Sequence, residues 1–308
     1  MEVLTLGETM VTLCPEQPGP LRHAERFLRS VGGAESNVAI GLCRLGHQAA
    51  WVGVVGADPF GDLVISTLRG EGVDVRARRH PRAPTGLLFK ERHQGGDSAV
   101  YYYRSGSAGS HLGPEDVPDL GRARIVHLTG ITPALSDSCH AAVKTAIGKA
   151  REAGALISFD PNYRSKLWRP EASRAALLPI LPACDILLLS QSEGQMLFGS
   201  DDPDTIAREA RARGSRHVAV RCGVEGAWAF AAEGPGTWVP AYAVTPLEPT
   251  GAGDAFDAGF LAGILEGKSD ADCVRAGVIC GALVTTALGD WEGAPTAPLP
   301  SGGGGPLR

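Results

Sequence analysis

Apolar and polar positions change period repeatedly along the chain. Short runs of β-branched or apolar residues (3–6, 50–55, 124–128, 155–159, 185–189, 217–220 and 227–231) alternate with longer segments in which apolar residues recur every three or four positions (35–45, 60–69, 136–153, 204–213, 254–265 and 271–287). Near-continuous apolar runs suit strands buried on both faces, and the helical period suits helices laid against them. Repeated strand–helix units predict an α/β fold built on a parallel sheet. Two stretches break the alternation: residues 12–31, rich in Pro and Arg, and residues 85–104, which read as two strands around a turn at 93–98. They form either a small β flap over one edge of the main domain, with Gly32–Gly33 as its hinge, or an ordinary edge hairpin. One domain is expected over 1–298, followed by a disordered Gly/Pro-rich tail at 299–308.

Composition narrows the partners more than the fold. The chain has 308 residues, 44% hydrophobic and 20% charged, with 29 Lys+Arg against 34 Asp+Glu for a formal charge of −5. With no Lys/Arg-rich run, neither nucleic acid nor an anionic membrane is an expected partner, which leaves a small molecule. The sequence MEVLTLGETM has no basic or long apolar segment, so the expected location is the cytoplasm. Seven cysteines stand singly, without a C-x-x-C, so neither a disulfide framework nor a zinc site is expected. The 41 glycines and 22 prolines, about a fifth of the chain against roughly 12% in average usage, follow no fibrous period.

The richest stretch chemically is 248–259, EPTGAGDAFDAG. Gly251, Ala252 and Gly253 bring bare backbone amides to the start of an apolar-periodic helix, where unpaired N–H groups and the helix dipole favour an anion such as phosphate. Asp254 in the first turn is either a base that accepts a hydroxyl proton during phosphoryl transfer or a helix cap beside a tight turn. A dinucleotide fingerprint fails because Phe256 stands where its third glycine belongs, and a phosphate-binding Walker loop around Gly267–Lys268–Ser269 fails at Ala262. Gly267 reads as a helix C-cap.

Elsewhere, strand alternation puts Tyr102 and Arg104 on one face and Tyr101 and Tyr103 on the other. A phenol and a guanidinium together suit a polyhydroxylated, acidic ligand, or else they pack and solvate the flap. Asp160-Pro161-Asn162-Tyr163-Arg164 follows a strand at the end where α/β sheets bind ligands, although Asp-Pro-Asn is also a common turn. Glu8 follows the first strand, and Gly33 and Asn37 open the first helix, with Asn37 serving a substrate hydroxyl or a local turn and Glu35 offsetting the helix dipole. His127, in a core strand, reads as structural.

Taken together, the GG-x-x-x-N element at 32–37, D-P-N-Y-R at 160–164 and P-T-G-A-G-D at 249–254 resemble the ribokinase-like (PfkB) carbohydrate kinases over about residues 1–298. The resemblance implies a three-layer sandwich with a mainly parallel central sheet and a small β-sheet lid, formed here by about 12–31 and 85–104. It also implies ATP and Mg²⁺ as cofactors, Asp254 as the base and the amides of Gly251, Ala252 and Gly253 as the anion hole. Within the family, Tyr102 to Ser110, Asn162-Tyr163-Arg164 and the ending GDWEGAP look most like the members that act on the sugar acid 2-keto-3-deoxygluconate. Carried over, the substrate lies against Glu8, Gly33, Asn37, Tyr102, Arg104 and Arg164, and the nucleotide against Ser190, Glu193, Arg221, Gly223 and Gly226. No residue ligates metal directly, with Glu193 and Asp160 acting on Mg²⁺ through water. The chain departs from the pattern at Leu88, where those kinases present a tyrosine, at Ser190 for Asn, and at Arg221 for Lys or Thr. It also has Glu248 where many members have an Asp of a monovalent-cation site, which leaves K⁺ dependence open.

The expected activity is transfer of the ATP γ-phosphoryl group to the primary hydroxyl of that sugar acid, giving 2-keto-3-deoxy-6-phosphogluconate. A fructokinase or other neutral-sugar kinase is the alternative within the family, and a non-catalytic sugar- or nucleotide-binding regulator is the alternative outside it. An exposed flap edge predicts a homo-oligomer through the lid.

Overall fold

The computed structural model describes residues 1–92 and 98–297. The first half of the chain runs β1 (Val3–Leu6), β2 (Met10–Pro15), β3 (Phe27–Gly32), α1 (Ala34–Arg44), β4 (Ala49–Gly56), α2 (Pro59–Gly70), β5 (Asp74–His80), β6 (Leu87–Arg92), β7 (Ser98–Tyr103), β8 (Ile125–Thr129) and α3 (Asp137–Ala153). The second half runs β9 (Leu156–Asp160), α4 (Pro170–Leu177), β10 (Ile186–Ser190), α5 (Gln191–Phe198), α6 (Pro203–Arg211), β11 (His217–Arg221), β12 (Gly226–Phe230), β13 (Thr237–Pro240), α7 (Ala252–Leu265) and α8 (Asp270–Val284).

Nine strands form the central sheet in the order β13-β12-β11-β10-β9-β8-β1-β4-β5. It is parallel from β11 through β5, and β12 and β13 turn back antiparallel at one edge. Alternate residues of each buried strand feed different cores. Ile186 and Leu188 of β10 join the cluster under α1, α7 and α8, while Leu187 and Leu189 join the cluster under α3 and α6. That two-sided burial is why the strands read as unbroken apolar runs.

Strands β2, β3, β6 and β7 form a second sheet, ordered β3-β2-β6-β7. The flap expectation is therefore met by a separate four-stranded sheet, with β2 paired parallel to β6 and antiparallel to β3. The expected 93–98 turn lies outside the described residues apart from Ser98, which opens β7, and so does the 299–308 tail.

Four elements escape the periodicity. β5, DVRARRH, is a charged edge strand in which only Val75 and Ala77 reach the core. β13, α4 and α5 are short, at 4, 8 and 8 residues, too brief to show a period. The last helix, expected to reach 287, stops at Val284: the Thr285 carbonyl takes the amides of Leu247 and Glu248, binding the chain to the loop ahead of α7.

Candidate active site

A cavity of about 1020 Å³ opens between the two sheets at the C-terminal ends of the parallel strands, where open α/β sheets hold ligands. Every site residue singled out from the sequence lines it: Glu8, Gly33, Asn37, Tyr102, Arg104, Asp160, Arg164, Ser190, Glu193, Arg221, Gly223, Gly226 and residues 251–254.

The start of α7 forms the floor. Gly251 is its N-cap, with φ +85°, and a Cβ there would collide with the Asp290 carbonyl, so the sharp entry into the helix needs glycine. Of the amides that follow, that of Ala252 donates weakly to the Pro249 carbonyl at 3.3 Å, and first-turn amides have no acceptor one turn earlier in the helix itself. Asp254 does not cap the helix: its Oδ2 accepts from Asn37 Nδ2 at 2.8 Å and its Oδ1 from Asn162 Nδ2 at 3.2 Å. Burial raises its pKa to about 7; the Asn37 hydrogen bond and Arg164 oppose that rise, while the charges of Asp160 and Asp290 add to it. A carboxyl so placed exchanges a proton near neutrality.

The Asp-Pro-Asn sequence forms a turn here, and that turn lines the cavity. Asp160 Oδ1 accepts the Asn162 amide at 2.8 Å, closing a turn in which Asn162 takes a left-handed φ of +42°, tolerable for asparagine. That turn aims the Asn162 side chain at Asp254. Asn37, on the first turn of α1, approaches from the other side. Gly33 just before it has no room for a Cβ against the Glu8 carbonyl and Thr9.

The two arginines of the sugar side differ. Arg104 is clamped by Glu8, Nε to Oε2 at 2.7 Å and Nη2 to the same oxygen at 2.5 Å, while Ser107 donates to Oε1 of Glu8. Its guanidinium also lies 5.5 Å from the centre of the Tyr102 ring. Arg164 hydrogen-bonds only the Tyr163 carbonyl, at 3.2 Å, and forms no ion pair among the described residues. Leu88 pairs in register with Tyr102 and gives the cavity an apolar patch.

On the opposite side, the half-buried Arg221 lies among three carboxylates, 2.9 Å from Asp160, 2.7 Å from Asp257 and 3.5 Å from Glu193. Burial alone would lower its pKa, but those charges raise it, so it is a fixed internal countercharge. Ser190 caps α5 in a capping box with Glu193, whose other oxygen accepts the Tyr163 amide at 2.8 Å. Glu193 thereby braces the 160–164 loop against β10.

One expectation changes in character. Glu35 does not merely offset the α1 dipole: its carboxyl is buried, accepts from Thr129 and Thr132, and has its pKa raised by that burial. Asp257, one turn beyond Asp254, went unread although the D-x-x-D spacing places both on one face of α7. His127 is structural as expected, neutral with a pKa lowered to about 4 by burial and bonded to Ser158.

The site thus holds a buried carboxyl near neutrality at a helix N-terminus, in a cleft between a mainly parallel sheet and a small β sheet. The chain belongs to the pfkB family of carbohydrate kinases, which its residues 1–297 match, and it is accordingly an enzyme. It is 36% identical over 301 residues to a 2-dehydro-3-deoxygluconokinase of Bacillus subtilis, covering 96% of this chain and 93% of that protein. It is 38% identical to the enzyme of that name in Thermoproteus tenax (96% and 92% covered), and 35% identical to a fructokinase of Klebsiella pneumoniae (94% and 94%). Among solved structures, the 2-dehydro-3-deoxygluconokinase of Thermotoga maritima superposes with a TM-score of 0.89 at 27% identity, covering 94% of each chain. An E. coli protein named as a ribokinase II, in complex with ATP and Mg²⁺, gives 0.88 at 29% (95% and 95%). A Vibrio cholerae fructokinase double mutant, bound to fructose, ADP and potassium ion, gives 0.85 at 29% (96% and 96%). No helix among the described residues is long and apolar enough to cross a membrane.

Proposed function

We propose that this sugar kinase transfers the γ-phosphoryl group of ATP to the primary hydroxyl of 2-keto-3-deoxygluconate or a close sugar acid. The observation that carries the acid substrate is Arg164. It is the guanidinium on the sugar side that forms no ion pair among the described residues and acts on Asp254 only through space, in a cavity where Glu8 already neutralises Arg104. A sugar carboxylate supplies the missing countercharge. Leu88 in place of a tyrosine removes one hydroxyl from the pocket wall, so discrimination rests on charge more than on hydroxyl count.

Asn37 and Asn162 hold the Asp254 carboxylate in place for the incoming hydroxyl, whose proton Asp254 accepts as the oxygen attacks phosphorus. The amides of 251–253 receive the charge that develops on the transferred group. The four-stranded sheet acts as a lid that excludes water from the reaction. ATP lies along Gly223 and Gly226, with Ser190, Glu193 and Arg221 shaping the phosphate side. The donor set fits a hydrated Mg²⁺ carried by ATP: Asn162 Oδ1 is buried without a hydrogen-bond partner, Asp160 and Glu193 stand nearby, and no carboxylate cluster of a direct metal site exists among the described residues. When bound, Mg²⁺ neutralises phosphate charge.

The outer face of the lid, with Phe27, Phe89 and Tyr103 in edge-to-face contact, is the surface through which two copies associate. The deciding experiment is ADP release with a sugar panel. Higher kcat/KM on the ketoacid than on fructose supports this reading; the reverse order makes the protein a fructokinase, and binding without turnover makes it a regulator.

A further inference from the structure

Lys90 is an ammonium buried within the protein, 1% exposed although it is carried by β6 of the small sheet. Its Nζ reaches the main domain, 2.5 Å from Asp290 Oδ1, 3.5 Å from the Gly289 carbonyl and 3.9 Å from Glu248 Oε2. These oxygens sit behind the loop that enters α7. Glu248 Oε1 accepts from Thr250, at 2.6 Å from the hydroxyl and 3.2 Å from the amide, and the Asp290 carbonyl packs directly on Gly251. Two carboxylates sharing a dry site repel each other unless a cation lies between them. Burial lowers the Lys90 pKa, but the attraction of Asp290 and then Glu248 outweighs it and raises the pKa overall, so the side chain is charged.

Such an oxygen set could also take a monovalent metal ion, the question that Glu248 raised in the sequence. A potassium ion does not fit here, because a tethered ammonium already lies among the same oxygens. We propose that Lys90 is a positioning residue, a built-in cation that holds the 249–253 loop and fastens the lid sheet to it, so that this kinase needs no K⁺. The proposal rests on the reading of the 251–253 amides as the phosphate site. Since Lys90 reaches this loop from the lid, the anion hole and the lid are set by one ion cluster.

The test compares the unaltered protein and Lys90→Met, of similar length and neutral, in tetramethylammonium, K⁺ and NH₄⁺ salts at equal ionic strength. The unaltered protein is expected to show the same rate and the same melting temperature in all three. Lys90→Met is expected to lose about tenfold or more in kcat with a much smaller change in sugar KM. Its rate should recover in part with K⁺ or NH₄⁺, which also raise its melting temperature by filling the vacated oxygen set. Activation of the unaltered protein by K⁺ overturns the proposal, as does a folded Lys90→Met that keeps its kcat or is not rescued. Where Lys90→Met fails to fold, the response of the unaltered protein to K⁺ decides. Failure of the kinase reading is separate: it shows as no ADP release from the unaltered protein, and the melting response to K⁺ then tests the built-in cation without turnover.

Discussion

Burial lifts the Asp254 carboxyl from an ordinary 3.8 to about 7, while the Asn37 amide that donates to it works against the rise. Catalysis needs the unprotonated form, so kcat/KM should fall as pH drops through about 7; a profile flat down to pH 5 would exclude Asp254 as the base. Asp254→Asn should lower kcat by about 10²- to 10⁴-fold while ATP still binds. The same shift acts on stability with a fixed sign. Between 3.8 and about 7 the folded state holds this proton more tightly than the unfolded chain, so the native fold loses stability as pH rises through that window. The melting temperature of Asp254→Asn relative to the unaltered protein should therefore increase from pH 5 to pH 7 and then level off. For Arg164→Gln, KM for the sugar acid should rise about 10- to 100-fold, the worth of a charge-assisted hydrogen bond, while fructose loses only the smaller part of kcat that follows from a further rise in the Asp254 pKa. An equal loss on both sugars would remove Arg164 from acid recognition.

At the scale of elements, the entry to α7 carries the largest demand on geometry. Gly251 combines φ +85° with contact against the Asp290 carbonyl, so Gly251→Ala meets both backbone strain and overpacking. Together these should cost about 2–5 kcal/mol, read as a fall in denaturant midpoint, and kcat should drop further than KM changes because the anion-hole amides shift. The glycines and the helix start were legible because PTGAGD is a local signal: the turn and the helix it opens lie within a few residues. The role of Glu35 was not, since its partners Thr129 and Thr132 lie on a strand and turn about a hundred residues away. β5 escaped for a related reason: as an edge strand it keeps charge on most positions, and Arg78 pairs with Asp116 rather than following any period.

At the scale of the molecule, function depends on how the small sheet sits over the large one. Lys166, just past the 160–164 loop, donates to the Val100 carbonyl of β7 and lies 5.2 Å from the Tyr101 ring and 5.9 Å from the Tyr102 ring. With Lys90, it ties the lid to the body from two directions. The outer lid face leaves Tyr103 67% exposed beside Phe89, apolar area that a second copy would cover. Sedimentation should show a dimer that Tyr103→Lys converts to monomers; a monomeric unaltered protein would refute the lid interface. The alternation of strand and helix, and the two stretches that interrupt it, already marked off the segments of the second sheet in the sequence, without deciding between a flap and an edge hairpin. Their closure on one cavity was not readable, because it is made by contacts between residues far apart in the chain.

The sequence by itself determined the sheet-and-helix order, the glycine turn that opens α7, the Asp-Pro-Asn turn and the family, because each is written in short-range spacing or in motif order. Only the tertiary structure decided which charges remain available. Glu8 neutralises Arg104, Asp160 and Asp257 occupy Arg221, Lys90 lies among the oxygens of Glu248 and Asp290, and Arg164 forms no ion pair among the described residues. Ion pairing at a few ångströms inside a low-dielectric cleft depends on distances that sequence separation does not encode.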